Sequence, residues 1–206
     1  MTVTDVNVVK SAIFERPDDA NKGTLGSLLC VCGSYGMAGA AVMSAKGALR
    51  TGIGLAKCAL PRSIYPIVAQ TILESVYYPL SENADGRISK VNVPFLVSES
   101  SKSSATLVGC GLGVCDDTLK IVFSLIENST TPLVLDADAL NCVAKQPEIL
   151  LRKKAPIIIT PHPGEMSRLT GLATPLVNAE RERVALDFTQ KYGVVTVLKG
   201  AGTVIA

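Results

Sequence analysis

The sequence predicts an α/β domain: a mostly parallel sheet covered on both faces by helices, in three layers. Three observations predict it. Short continuous apolar runs, such as SLLCVC at 27–32 and APIIIT at 155–160, have the composition of strands buried on both faces. Segments with helical spacing alternate with them, which is the order of βα units. Glycine-rich or polar loops follow the apolar runs at their carboxyl ends, where open α/β sheets bind ligands.

In chain order, a polar lead-in precedes SLLCVC, which runs into GSYGMAGA (33–40) and the helical AAVMSAKGALR. GIGLAKCAL, from Gly52, predicts a second strand, PRSIYPIVAQ a helix, and ESVYYPL a weaker third strand. SATLVGCGLG predicts a fourth strand ending in glycines. DDTLKIVFSLIEN is the helix after it, with Asp116 or Asp117 as its cap. TPLVLDADALN and APIIITPHPGE each join an apolar strand to a polar carboxyl end. NAERERVALDFTQKYG predicts an amphipathic helix with Leu176 or Val177, Val184, Leu186 and Phe188 as its stripe, stopped by Gly193. VVTVLKGAGTVIA predicts two strands joined by a glycine turn.

Composition narrows the function classes. The 206 residues carry 20 Lys+Arg against 18 Asp+Glu, and the net charge of +2 gives no electrostatic reason to expect nucleic acid. Aromatic residues are 4% with no Trp, so stacking platforms for single strands are not expected either. The cysteines at 30, 32, 58, 110, 115 and 142 have no zinc-finger spacing, and His162 is the only histidine, so they read as reduced, buried thiols. The start shows neither a signal nor a transit peptide, and no apolar stretch is long enough to cross a membrane. Those features predict a cytoplasmic enzyme of small molecules.

Five segments carry the chemistry: GSYGMAGA (33–40), GCGLG (109–113), DADALN (136–141), TPHPGE (160–165) and KGAGT (199–203). The first matches neither a Walker loop nor the GxGxxG fingerprint, yet it offers bare backbone amides leading into a helix amino terminus, which favours an anion. In TPHPGE two prolines fix the backbone around His162. Glu165 falls in the next helix's first turn, where it either caps the helix or reaches a magnesium ion beside phosphates. Asp136 or Asp138 is a helix cap or a residue of the mouth. Lys199 with the amides after it suits a nucleotide phosphate, the plain alternative being a hairpin turn with a surface lysine.

Taken in order, GS-x-x-M-x-GAA, DADALN, TPHPGE and VLKGAGTVI resemble the ADP- or ATP-dependent NAD(P)H-hydrate dehydratases of the ribokinase-like superfamily, from NKGTLG at 21–26 to the last residue. The resemblance implies a three-layer α/β/α ribokinase-like domain over 1–206. It implies the repair of hydrated NADH and NADPH by phosphorylation of the C6 hydroxyl and loss of phosphate, with ADP or ATP as co-substrate and Mg2+. Carried over by motif, Ala40, Gly111 and His162 would touch the hydrated cofactor. Lys199, Gly200, Ala201, Gly202 and Thr203 would hold the nucleotide. His162-x-x-Glu165 has the spacing of an Asn-x-x-Glu motif that sugar kinases use near magnesium, which makes Glu165 the metal-side candidate. The lack of a transit peptide favours ADP, and the family implies a homo-oligomer, often a tetramer.

One departure stands out. The resemblance implies a GSGD segment whose Asp acts as base; it has no counterpart in residues 1–206, and its place in the family's order lies beyond Ala206, where the sequence stops in the middle of an apolar strand. The expectation is a domain shortened before its catalytic Asp, or one that has lost the reaction. Two other readings compete: a ribokinase-like kinase of a small hydroxylated metabolite or vitamin precursor, and a nucleotide-binding protein without turnover.

Overall fold

The structure is a computed structural model, and it describes residues 6–12 and 17–206. The expected polar lead-in falls partly on residues 1–5 and 13–16, outside the described residues. Within it lies a short helix, α1 (Val6–Ala12).

The first βα unit is β1 (Ser27–Val31) and α2 (Ala38–Arg50), with the glycine loop between them. There follow β2 (Leu55–Pro61), α3 (Tyr65–Thr71), β3 (Val76–Leu80), α4 (Val93–Ser101), β4 (Ala105–Val108) and α5 (Asp116–Asn128). The chain continues through β5 (Leu133–Leu135), α6 (Asp138–Val143), β6 (Ile157–Ile159), α7 (Pro163–Thr170), α8 (Thr174–Ala179) and α9 (Arg181–Tyr192). The last two elements are β7 (Val195–Leu198) and β8 (Val204–Ile205).

Among the described residues these strands form one sheet in the order β3-β2-β1-β4-β5-β6-β7-β8. Every pairing is parallel except the β7–β8 hairpin, in which Leu198 faces Val204. The strand order turns around between β1 and β4, which opens a crevice at their carboxyl ends. The continuous apolar character of β1 follows from burial on both sides. Leu29 and Val31 join the large core under the later helices, while Cys30 and Cys32 join a second core under α2 and α3.

Two expectations are corrected. Cys115, in an extended conformation, is the N-cap of α5, and its side chain caps no backbone N–H of the helix. Asp116 and Asp117 lie in the first turn instead, and Asp117 accepts hydrogen bonds from Asn83 Nδ2 (2.9 Å) and the Lys90 N–H (3.2 Å). The stripe expected on the later helix is also out of phase. The helix breaks at Glu180, so Val177 is buried from the separate α8, and α9 restarts at Arg181. Its buried residues are Val184, Ala185, Phe188 and Tyr192, whereas Leu186 is 48% exposed. Gly193 does stop it, in a left-handed conformation.

The pairing of β8 with β7 runs on to Ala206. Ala206 exchanges both backbone hydrogen bonds with Thr196 (2.9 and 3.0 Å), and its carbonyl also accepts from Thr189 Oγ1 (3.2 Å). Because β8 runs against β7, that pairing sets Ala206 at the amino end of β7, away from the edge where the glycine loops gather.

All six cysteines are free thiols. Cys30, Cys32, Cys58 and Cys142 are buried, and Cys110 and Cys115 are partly so. Burial pushes the Cys142 thiol up to about 12, so it packs as a small hydrophobe.

Candidate functional site

The loops after β1, β4, β5, β6 and β7 leave the sheet at its carboxyl edge, and hydrogen bonds link each to the next. In the loop after β1, the Gly33 N–H donates to the Cys110 carbonyl (2.8 Å) and Ser34 Oγ to the Gly111 carbonyl (2.7 Å). That joins it to the loop after β4. There, the Gly113 N–H donates to Asp138 Oδ2 (2.8 Å), which joins it to the loop after β5. Thr160, after β6, donates from Oγ1 to Asp136 Oδ1 (2.7 Å). Lys199, after β7, closes the row: its N–H donates to the Pro161 carbonyl (2.8 Å) and its ammonium lies 2.6 Å from Asp136 Oδ1.

The first two loops touch through bare backbone. Gly111 has φ +69°, and a Cβ added there would come within 2.7 Å of the Ala40 Cβ, so the absent side chain is what lets α2 approach. α2 begins at Ala38 with no side chain capping it, so N–H groups of its first turn face this crevice.

His162 and Glu165 form a capping box on α7. His162 Nδ1 accepts from the Gly164 N–H (3.0 Å), and Glu165 Oε2 accepts from the His162 N–H (2.8 Å). Glu165 Oε1 lies 3.4 Å from His162 Nε2. The side chain of Glu165 is 7% exposed and that of His162 is 52% exposed, so the buried carboxylate orients an imidazole that faces outward. Of the two roles weighed for Glu165, the helix cap is the one formed here.

Asp136 and Asp138 do not cap α6; that position belongs to Ala137, whose φ of +51° is rare for a residue with a side chain. The turn is pinned from both sides, with the Asp136 N–H on the Val108 carbonyl (3.2 Å) and the Asp138 N–H on the Gly109 carbonyl (3.3 Å). Strain of this kind persists where the surroundings impose it. Its result is that Asp136 points across the edge. Burial alone would push its carboxyl up, but the Lys199 ammonium and the Thr160 hydroxyl outweigh that and hold it below the usual carboxylate value.

Residues 28–206 match the family model described as NAD(P)H-hydrate dehydratase. The chain belongs to that family. In sequence it is similar to a bifunctional NAD(P)H-hydrate repair enzyme of Thermofilum pendens, 39% identical over 191 residues that cover 93% of this chain and 36% of that protein. It is also similar to an ADP-dependent (S)-NAD(P)H-hydrate dehydratase of Neisseria meningitidis, 31% identical over 93% of this chain and 61% of that one. The chain therefore spans little more than a third of the bifunctional relatives' length. In structure it is similar to the ADP/ATP-dependent NAD(P)H-hydrate dehydratase of Bacillus subtilis co-crystallised with ATP/Mg2+, with a TM-score of 0.79 at 29% identity over 97% of this chain and 67% of that chain.

Within this dehydratase-family fold the expected residues fall into two neighbouring groups. Ala40 and Gly111 meet at the turning point of the strand order, and His162 sits beside the Lys199 loop through the Pro161 carbonyl. Gly200, Ala201, Gly202 and Thr203 form the turn between β7 and β8, in which Thr203 Oγ1 donates to the Gly200 carbonyl (3.1 Å). Asp136 lies between the two groups and is the residue that sequence reasoning undervalued. Also missed is the segment after β3. The Tyr35 N–H donates to the Gly86 carbonyl (2.9 Å), and Arg87 Nη1 reaches the Val114 carbonyl (3.3 Å), strapping both glycine loops from outside. Nothing in its local composition signals that role.

Proposed function

We propose that this protein dehydrates hydrated NADH and NADPH in an ADP- or ATP-dependent reaction. The carrying observation is the continuous polar edge from Gly33 to Lys199, with one cation and one carboxylate at its nucleotide end and bare backbone at the other. The names of the Neisseria and Bacillus relatives support the same reading.

In this reading the turn at Lys199, Gly200, Ala201, Gly202 and Thr203 receives the nucleotide phosphates, and Lys199 moves from Asp136 to a phosphate oxygen. The hydrated ring lies against Ala40, Gly111 and His162. Its C6 hydroxyl takes the phosphoryl group. The ring nitrogen's lone pair then expels phosphate from C6, and a proton leaves C5 to restore the double bond. Such transfer depends on positioning and charge neutralisation more than on covalent chemistry.

Magnesium suits a hard carboxylate oxygen, and an ion shared with phosphates needs only one or two of them; Asp136 offers one at the edge, whereas Glu165, 7% exposed and holding the His162 N–H through Oε2, would reach an ion only by leaving its cap. Among the described residues no three His, Cys, Asp or Glu side chains gather as a closed metal centre. When bound, the ion would neutralise phosphate charge, and Asp136 would hold it, with Glu165 joining only once released from its cap.

We place the reaction in the cytoplasm, where reduced cofactors are used; among the described residues no helix is long and apolar enough to cross a membrane. A homo-oligomer, a tetramer, fits the exposed Met43, Ile67 and Leu73 on the α2–α3 side.

Residues 1–206 contain no Gly-Ser-Gly-Asp segment, so the test uses the full natural gene product. Incubation with hydrated NADH, magnesium and ADP or ATP should restore the absorbance of NADH and release phosphate. A stably phosphorylated product would overturn the reading in favour of a small-molecule kinase. Nucleotide binding without turnover would overturn it in favour of a non-catalytic binder.

A further inference from the structure

The turn after β7 has an electrostatic difficulty. A phosphate is attracted to N–H groups and repelled by carbonyl oxygens, and a tight turn presents both. Arg181, the first residue of α9, resolves it. Its Nη2 donates to the carbonyls of Leu198 (2.8 Å) and Lys199 (2.9 Å), and its Nε donates to that of Gly202 (3.2 Å). Nη1 lies 3.4 Å from Asn178 Oδ1, which steadies the fork.

We propose that Arg181 is the positioning residue of the nucleotide loop, acting through the backbone and not by touching phosphate. The inference rests on the nucleotide reading given above and deepens it.

Peptide planarity is the physical basis. The C=O and N–H of one peptide point in opposite directions, so fixing a carbonyl aims the amide behind it. With the Lys199 and Gly202 carbonyls turned onto Arg181, the Gly200 and Thr203 N–H groups are turned away from it, the first onto Thr203 Oγ1 (3.3 Å) and the second left open. Among the described residues no hydrogen bond engages the N–H groups of Ala201, Gly202 or Thr203. These are the donors left for an anion. The guanidinium also cancels the negative ends of three carbonyls that would otherwise face an arriving phosphate.

The fit is close on the other side. Gly200 has φ +148°, and a Cβ added there would lie 3.0 Å from Arg181 Nη2, so the loop is shaped around the guanidinium. A planar fork with several fixed donors suits three carbonyls in a way a single ammonium does not. Lysine at this position would keep the charge and lose most of the geometry.

The test measures ADP affinity by calorimetry, and steady-state constants, for the full natural gene product and for Arg181→Ala and Arg181→Lys. Arg181→Ala should weaken ADP binding about ten-fold or more, with the KM for hydrated NADH, and kcat at saturating ADP, within about two-fold. Arg181→Lys should recover part of the loss. ADP affinity unchanged in Arg181→Ala would overturn the proposal, and so would a KM for hydrated NADH that rises in step with that for ADP. If Arg181→Ala does not fold, Arg181→Lys decides alone: weaker ADP binding supports the role and wild-type affinity overturns it. A wild-type protein that binds no ADP would instead sink the nucleotide reading itself, a separate result.

Discussion

His162 shows what a single residue reveals in a sequence and what it hides. Its bracketing prolines and its place at a strand's carboxyl end mark it from the sequence alone as a rigidly held candidate for ligand contact. Its pairing with Glu165 in a capping box was not read, whereas Glu165 was legible as a cap of α7 from its place in the first turn. Asp136 was not: its partners Thr160 and Lys199 are 24 and 63 residues away, a distance that local pattern does not span. The division of labour between His162 and Lys199 is open to kinetic test. Asn caps a helix well, so His162→Asn keeps α7 while removing the imidazole. It should raise the KM for hydrated NADH about ten-fold or more and leave nucleotide affinity unchanged. Lys199→Ala should do the reverse, since a cation–phosphate contact is worth about one to two orders of magnitude in affinity. Equal losses of both ligands in either variant would refute the assignment of His162 and Lys199 to different ligands.

At the scale of elements, the strands were read correctly because burial on both faces writes a continuous apolar run. Helix ends were less legible, since capping depends on the one residue that leaves the helical path. Acidic residues at 116 and 117 are as compatible with a first turn as with a cap. The α8–α9 break at Glu180 reset the phase of the stripe and exposed Leu186, which no count along the sequence foresees. Glycines between elements separate into those the packing requires and those it does not. Gly109 has φ +129°, and a Cβ there would overlap the Asp136 carbonyl oxygen. Gly109→Ala should therefore cost roughly 2–4 kcal/mol and spread the loops after β4 and β5. Gly47, exposed in the middle of α2 with open space around it, is the control. Gly47→Ala should add about 0.5–1 kcal/mol. Chemical denaturation measures both, and a Gly109→Ala protein as stable as wild type would contradict the loop packing described.

For the whole molecule, the sequence supplies alternation but not strand order. That order, with its turn between β1 and β4, places loops as far apart in the chain as those at Gly33 and Lys199 along one edge. The order of motifs nevertheless carried the family, because each lies directly after a strand and every strand from β1 to β7 runs in one direction. Function, in this reading, depends on that edge acting as one site for two ligands. Hydrogen exchange of the full natural gene product tests this most directly. ADP alone should protect residues 199–203, and hydrated NADH alone should protect 33–40, 109–113 and 160–165. Protection by either ligand confined to another surface, such as the groove between α5 and residues 147–152, would contradict it.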